Sequence, residues 1–196
     1  KKGSKVRLIT EQEAKNLEKK VNSSNWQVLS VEERPTVRKP VPPFTTSTLQ
    51  QEAVRKLRWT TKRTMSVAQR LYEGGWITYM RTDSTVLSTQ AIGASRDLIA
   101  DYYGAEYLPK EPRLYRSSAK NAQEAHEAIR PAGDVFRTPQ EAEEELNVEQ
   151  AKLYELIWKR TVASQMNNAN GQRVRAVFSV DAAELVATGK SYLFQG

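Results

Sequence analysis

Cysteine is absent from the 196 residues, so the chain holds no disulfide framework and no thiolate metal site. Histidine occurs once, at His126, and no Ser-His-Asp or Cys-His arrangement suggests itself. No apolar run approaches the length of a membrane span, and no charged-then-apolar leader opens the sequence, so the expectation is a cytoplasmic chain without membrane attachment. No Asp-x-Asp pair occurs anywhere, and neither repeats nor low-complexity tracts are found apart from one proline-rich stretch. The chain opens "KKGSK" without methionine and stops at "YLFQG", directly after an apparent strand, which suggests a piece excised from a longer protein.

What is present is positive charge. A formal charge of +7 and a pI near 9.6 favour a polyanionic partner. Residues 51–70 hold six cations (Arg55, Lys56, Arg58, Lys62, Arg63 and Arg70) against the single acid Glu52, whereas residues 141–149 hold five glutamates and no cation. A basic helical pair carrying Lys62 and Arg63 beside Trp59 could track a phosphate backbone with the indole available for stacking. A solvated helix face with Trp59 in the core is the alternative.

The 39% hydrophobic content supports a real core, in one domain or two small ones. "TEQE" (Thr10 to Glu13) is a capping box that predicts a helix into the low twenties. "NWQVLSVEE" alternates as a strand. "RPTVRKPVPPF" then carries four of the eight prolines, an extended connector and domain boundary. Leu49, Ala53, Val54 and Leu57 recur at helical spacing behind a Ser47 or Thr48 cap. A second helix follows with Thr64 as cap, with Val67, Ala68, Leu71 and Tyr72 inward, and with Gly74-Gly75 at its end. Two short helices, a tight link and a strand resemble a winged-helix arrangement. A third helix closes at Gly104, and a short helical segment covers "AQEAHEAIRP". "TPQE" (Thr138 to Glu141) is another capping box, and Asn147 caps the longest helix, which carries Leu153, Leu156, Ile157 and Val162. From Gln172 the period becomes two, and "ELVATGKSYLF" reads as a hairpin about Gly189. The fold class expected is α+β, mainly helical, with residues 40–167 inserted into a strand-containing domain made of 1–39 and 168–196.

Chemistry concentrates in "GGWITYMRTDS" (Gly74 to Ser84). On a short strand Ile77, Tyr79 and Arg81 point one way and Thr78, Met80 and Thr82 the other. A guanidinium at i+2 reaches the phenol oxygen or an anion bound to it. It favours phenolate, against an ordinary tyrosine pKa of about 10, and its fork suits phosphate oxygens. A phenolate is a far better leaving group than an alkoxide, so an aryl phosphodiester stays reactive enough for a free hydroxyl to reverse it. The plain alternative is strand packing with a surface ion pair, for instance to Asp83. In "AQEAHEAIRP", helical spacing would pair Glu127 with Arg130 and set His126 and Arg130 on one face, where both could grip a phosphodiester. A structural histidine is the alternative there.

Together "ITYMRTDS" (Ile77 to Ser84), "HEAIRP" (His126 to Pro131) and "PFTTSTLQQEA" (Pro43 to Ala53) closely resemble the signatures of type IA DNA topoisomerases, in order and spacing. The methionine before Arg81 resembles the bacterial branch. The resemblance spans essentially the whole chain. It implies that Tyr79 is the nucleophile that cuts single-stranded DNA through a 5′-phosphotyrosyl intermediate, and that resealing relaxes negative supercoils without ATP. It further implies that Arg81 positions the scissile phosphate, that His126 contacts DNA with Arg130 as support, and that Thr78, Thr82 and Asp83 order the site or touch DNA. Residues 40–167 would be a tyrosine domain resembling the catabolite-activator fold, and 1–39 with 168–196 parts of a toroidal gate. The family's acidic magnesium site, in a toprim domain, has no counterpart here, so Mg2+ is expected on that missing domain of the same parent chain and not in this piece. The partners implied are single-stranded and negatively supercoiled DNA, with the protein a monomer. The rival reading is a non-catalytic winged-helix regulator that binds duplex DNA.

Overall fold

The computed structural model describes residues 8–23, 25–115, 127–180 and 183–196. The chain divides into two compact units, Lys1–Val37 with Ala169–Gln195, and Arg38–Asn168. No helix among the described residues is long and apolar enough to cross a membrane.

The first unit holds helix α1 (Glu11–Ser23) and strands β1 (Gln27–Arg38), β2 (Ala169–Val180) and β3 (Ala183–Phe194). The capping box at Thr10 forms as expected: its N–H donates to the Glu13 carboxylate at 2.8 Å, and the Glu13 N–H donates back to the Thr10 hydroxyl at 3.3 Å. The strands lie in the order β1-β2-β3, with β2 and β3 antiparallel from Val180 opposite Ala183 to Asn170 opposite Phe194. This overturns the hairpin expected at Gly189, which sits inside β3 opposite Val174. A continuous ladder satisfies the backbone on both sides of that glycine, which therefore costs some strand propensity without having to turn. Gly171 is different: a Cβ there would lie 2.1 Å from the Ser191 carbonyl oxygen, so the close approach at the register shift requires glycine. β1 also runs on through Pro35, further than the expected strand.

The second unit is helical: α2 (Thr46–Leu57), α3 (Thr61–Glu73), α4 (Thr89–Tyr103), α5 (Pro139–Glu145) and α6 (Val148–Ser164). Leu49, Val67, Leu71, Ile99, Leu153 and Ile157 are fully buried in its core. α4 ends at Gly104 with φ +97°, and the caps at Thr138 and Asn147 form as the sequence predicts. The other two caps shift upstream: Thr45 caps α2 in place of Ser47 or Thr48, and Thr60 caps α3 in place of Thr64, which is buried within the helix. Runs of hydroxyl residues offer several candidates, and the outermost one gains an extra turn of helix. Val54 and Tyr72, expected inward, are exposed.

Both ends of this unit are tied to α6 or its cap. Arg160 donates to the Pro42 carbonyl at 3.3 Å and lies 4.1 Å over the Phe44 ring. At the other end Arg113 donates to the carbonyl of Met166 at 2.6 Å and to Asn168 Oδ1 at 2.7 Å, and exchanges bonds with Gln165.

Candidate active site

α3 stops at Gly74-Gly75, where Gly75 adopts φ +71°, and the Trp76 N–H returns to the Leu71 carbonyl at 2.8 Å. The segment that follows is laced to residues 128–132. Thr78 N–H donates to the Arg130 carbonyl at 3.0 Å, and the Ala132 N–H donates to the Trp76 carbonyl at 2.9 Å. The Thr78 hydroxyl donates to the Ala128 carbonyl at 2.7 Å and accepts from the Arg130 N–H at 3.0 Å. The expected strand is thus reduced to one bridge, Ile77 with Pro131. Ile77 does not share a side with Tyr79 and Arg81 either: it is 2% exposed, whereas Tyr79 is 48% exposed. A lone bridge imposes no pleat on its neighbours, so Ile77 turns into the core. From Tyr79 onward the alternation holds. Tyr79, Arg81 and Asp83 face solvent, Met80 is buried, Thr82 half-buried, and Ser84 buried behind them.

The described part of "AQEAHEAIRP" is extended, not helical. Ile129 bridges Phe44 and Pro131 bridges Ile77. Proline at 131 disfavours helical dihedrals at Arg130, and the flanking bridges supply the alternative. Glu127 and Arg130 do pair, through a two-pronged contact of 2.9 and 3.0 Å, but the pair faces inward. Arg130 also donates to the carbonyls of Pro131 and Gly133 at 2.8 and 2.9 Å and is itself buried. Arg130 therefore lies on no helix face, and its guanidinium spends four of its five N–H donors on Glu127, Pro131 and Gly133. His126 lies outside the described residues. Glu127 also accepts from the Ser88 N–H at 2.8 Å. Burial pushes the Glu127 carboxyl up, but the Arg130 fork and the Ser88 amide outweigh it and hold the pKa below 4.5.

An open cleft of about 400 Å³ is lined by Thr46, Ser47, Arg81, Thr82 and Asp83. Thr46, first residue of α2, bonds to Met80 and Thr82. Thr82 Oγ1 accepts from the Ser84 N–H at 3.0 Å, and Ser84 Oγ from the Val86 N–H at 3.1 Å, so the turn beyond Arg81 is stiffened by its own hydroxyls. The Tyr79 ring meets Tyr72 edge-on, with centroids 5.1 Å apart. Among the described residues neither Arg81 nor Asp83 makes an ion pair, so the guanidinium is free. A phenol and a free cation emerge on either side of buried Met80, open to an extended anionic ligand.

The α2–α3 basic face is less available. Arg63 and Arg70 both pair with Glu149 of α6, and Arg55, Lys56 and Arg160 share Glu52. Trp59 is buried, with Arg63 stacked 4.9 Å over it, so no indole is presented for stacking on a base. Lys62 and Arg58 alone among the six make no ion pair within the described residues.

Sequence reasoning missed Thr46 and Ser88 as parts of the site. Thr46 lies in the hydroxyl run Thr45–Thr48, inside the signature "PFTTSTLQQEA", but that run was read residue by residue only for helix caps.

A family model described as DNA topoisomerase matches residues 1–196. The chain is 54% identical, over 99% of its length, to DNA topoisomerase 1 of Synechococcus elongatus, and 50% identical over all of it to DNA topoisomerase 1 of Mycobacterium tuberculosis. It spans 22% of the length of each of those curated relatives. Among solved structures it is similar to full-length topoisomerase I from Thermotoga maritima, with a TM-score of 0.80 and 37% identity, over 98% of this chain and 32% of that one.

Proposed function

The chain belongs to the bacterial type IA DNA topoisomerases as part of a longer protein, and from that premise we propose that it carries the nucleophile that cuts and reseals one DNA strand. The Tyr79 oxygen attacks the phosphorus of a single-stranded phosphodiester. The phenol gives up its proton, a tyrosyl O–P bond forms, the P–O3′ bond breaks and the leaving 3′ oxygen takes up a proton, giving a 5′-phosphotyrosyl protein and a free 3′-hydroxyl. Attack by that hydroxyl reverses each change. The bond energy is kept in the aryl ester, so passage of a strand through the gap relaxes negative supercoils without ATP.

Arg81 holds the nonbridging oxygens of the phosphate and stabilises their developing charge. Thr78 and Arg130 order the segment from beneath, and Thr82 and Asp83 shape the turn beside the phosphate. His126 contacts the bound strand, and Lys62, with weaker help from Arg63, attracts the flanking backbone. Among the described residues no group of three or more His, Cys, Asp or Glu side chains is placed to hold a metal ion. Mg2+ belongs to the toprim domain of the parent protein. Residues 40–167 act as a tyrosine domain of catabolite-activator, winged-helix type, and 1–39 with 168–196 as gate segments of a cytoplasmic monomer.

The carrying observation is that Tyr79 and Arg81 are both exposed beside buried Met80, with the arginine unpaired. In the full-length parent with magnesium and single-stranded DNA, Tyr79→Phe is expected to abolish tyrosine-linked DNA and leave the DNA Kd within about threefold. An adduct that survives the substitution overturns the assignment.

A further inference from the structure

We propose that Thr46 is a positioning residue for DNA cleavage, fixing the direction in which Arg81 leaves the backbone. The inference rests on the roles proposed above for Tyr79 and Arg81, and adds a residue from a different element.

A side chain leaves the backbone along Cα–Cβ, and that direction is set by the two peptide planes that meet at Cα. For Arg81 these are the Met80–Arg81 plane, which carries the Met80 carbonyl, and the Arg81–Thr82 plane, which carries the Thr82 N–H. One atom holds both. The Thr46 hydroxyl lies 2.8 Å from the Met80 carbonyl oxygen and accepts from the Thr82 N–H at 2.9 Å. The Thr46 N–H donates to the Thr82 carbonyl at 2.9 Å, and that oxygen also lies 3.1 Å from the Thr46 hydroxyl. With both planes pinned, φ and ψ of Arg81 have little freedom, although its side chain projects into solvent.

The bonds are not a by-product of starting a helix. The α2 cap is complete without the Thr46 hydroxyl: Thr45 Oγ1 accepts from the Thr48 N–H, and Thr48 Oγ1 accepts from the Thr45 N–H at 2.9 Å. The first turn of a helix also leaves N–H groups without internal partners, and the one at Thr46 is spent on Thr82. β-Branching restricts χ1, which keeps the hydroxyl aimed at the loop. Arg81 is thereby held by α2, while Tyr79 is held from below through Thr78, so two distant segments set the separation of phenol and guanidinium.

The test uses the full-length parent, measuring single-turnover cleavage of a single-stranded oligonucleotide at saturating concentration and, separately, its Kd. Thr46→Val keeps the shape and removes the hydroxyl; cleavage should slow about tenfold with Kd within about twofold, because the loss falls on the reacting geometry. Thr46→Ser restores the hydroxyl and should stay within about threefold of the unaltered protein. In an Arg81→Ala background, adding Thr46→Val should cost less than about twofold, since the residue acts through Arg81. Unchanged cleavage in Thr46→Val, equal losses in the valine and serine variants, or losses that multiply with Arg81→Ala would each overturn the proposal. If Thr46→Val does not accumulate as folded protein, a tenfold loss in Thr46→Ser still overturns it and near-normal cleavage there supports it. A Tyr79→Phe control separates the two readings: an adduct that persists there refutes the nucleophile itself, whereas its loss beside a normal Thr46→Val refutes only the positioning role.

Discussion

The α2–α3 face and the ledge from Tyr79 to Asp83 invert what their charges suggest. Six cations crowd residues 51–70, yet Arg55, Lys56, Arg63 and Arg70 are drawn onto Glu52 and Glu149. The ledge has one arginine, and it is unpaired, beside an exposed tyrosine and over a buried methionine. A cation already satisfied by a carboxylate must give up that contact before it can serve a phosphate, whereas a free one loses only water. Availability, more than number, marks the site.

The sharpest way to break this contrast is to disturb the brace beneath the ledge. Arg130→Met leaves Glu127 without its fork, and the unfolding free energy should fall by about 2 kcal/mol, less than for a fully buried pair because Glu127 keeps 25% of its side chain in solvent. Denaturant midpoints of the parent protein measure this, and an unchanged midpoint would mean the brace is idle. Acid should do the same more gently. The Glu127 pKa is lower in the folded state than its ordinary 4.5, so its stabilisation is complete above that value and is lost as pH falls through the folded pKa. In Arg130→Met this acid dependence should flatten.

Next in size is Arg81→Lys, which keeps the charge and loses the fork. Cleavage should slow about tenfold with stability unchanged, because nothing in the fold leans on that side chain. Cleavage at the original rate would show that a point charge suffices. The smallest effect belongs to the basic face: Arg63→Gln should change stability by less than about 1 kcal/mol, as for an exposed ion pair. It should weaken DNA binding less than Lys62→Gln does. The reverse ranking in a low-salt binding titration would show that Glu149 releases Arg63 to the DNA.

Local signals were legible in the sequence. The capping boxes at Thr10 and Thr138 and the cap at Asn147 depend only on residues three positions away, and all three form. The alternation expected from Ile77 to Thr82 holds only from Tyr79 on, and the strand it was read from is reduced to one bridge. What failed was decided at a distance. Residues 127–131 look helical by spacing but are held extended by Phe44 and Ile77, and Gly189 looks like a turn but is held straight by β2. Of the candidate site, spacing identified Tyr79 and Arg81 as a pair. It could not show that Arg130 turns inward, that Thr46 reaches across 34 residues to the ledge, or that Thr78 reaches 50 residues to Ala128.

The clasps at Pro42 and at Met166–Asn168 converge on a single rod, the helix α6 with its carboxyl-terminal cap. A pull transmitted along the backbone from either direction is received there first, as by a mast stayed at both cables. The ledge belongs to the same network at one side, because Phe44, under the Arg160 guanidinium, bridges Ile129, and Thr46, two residues on, holds Met80 and Thr82.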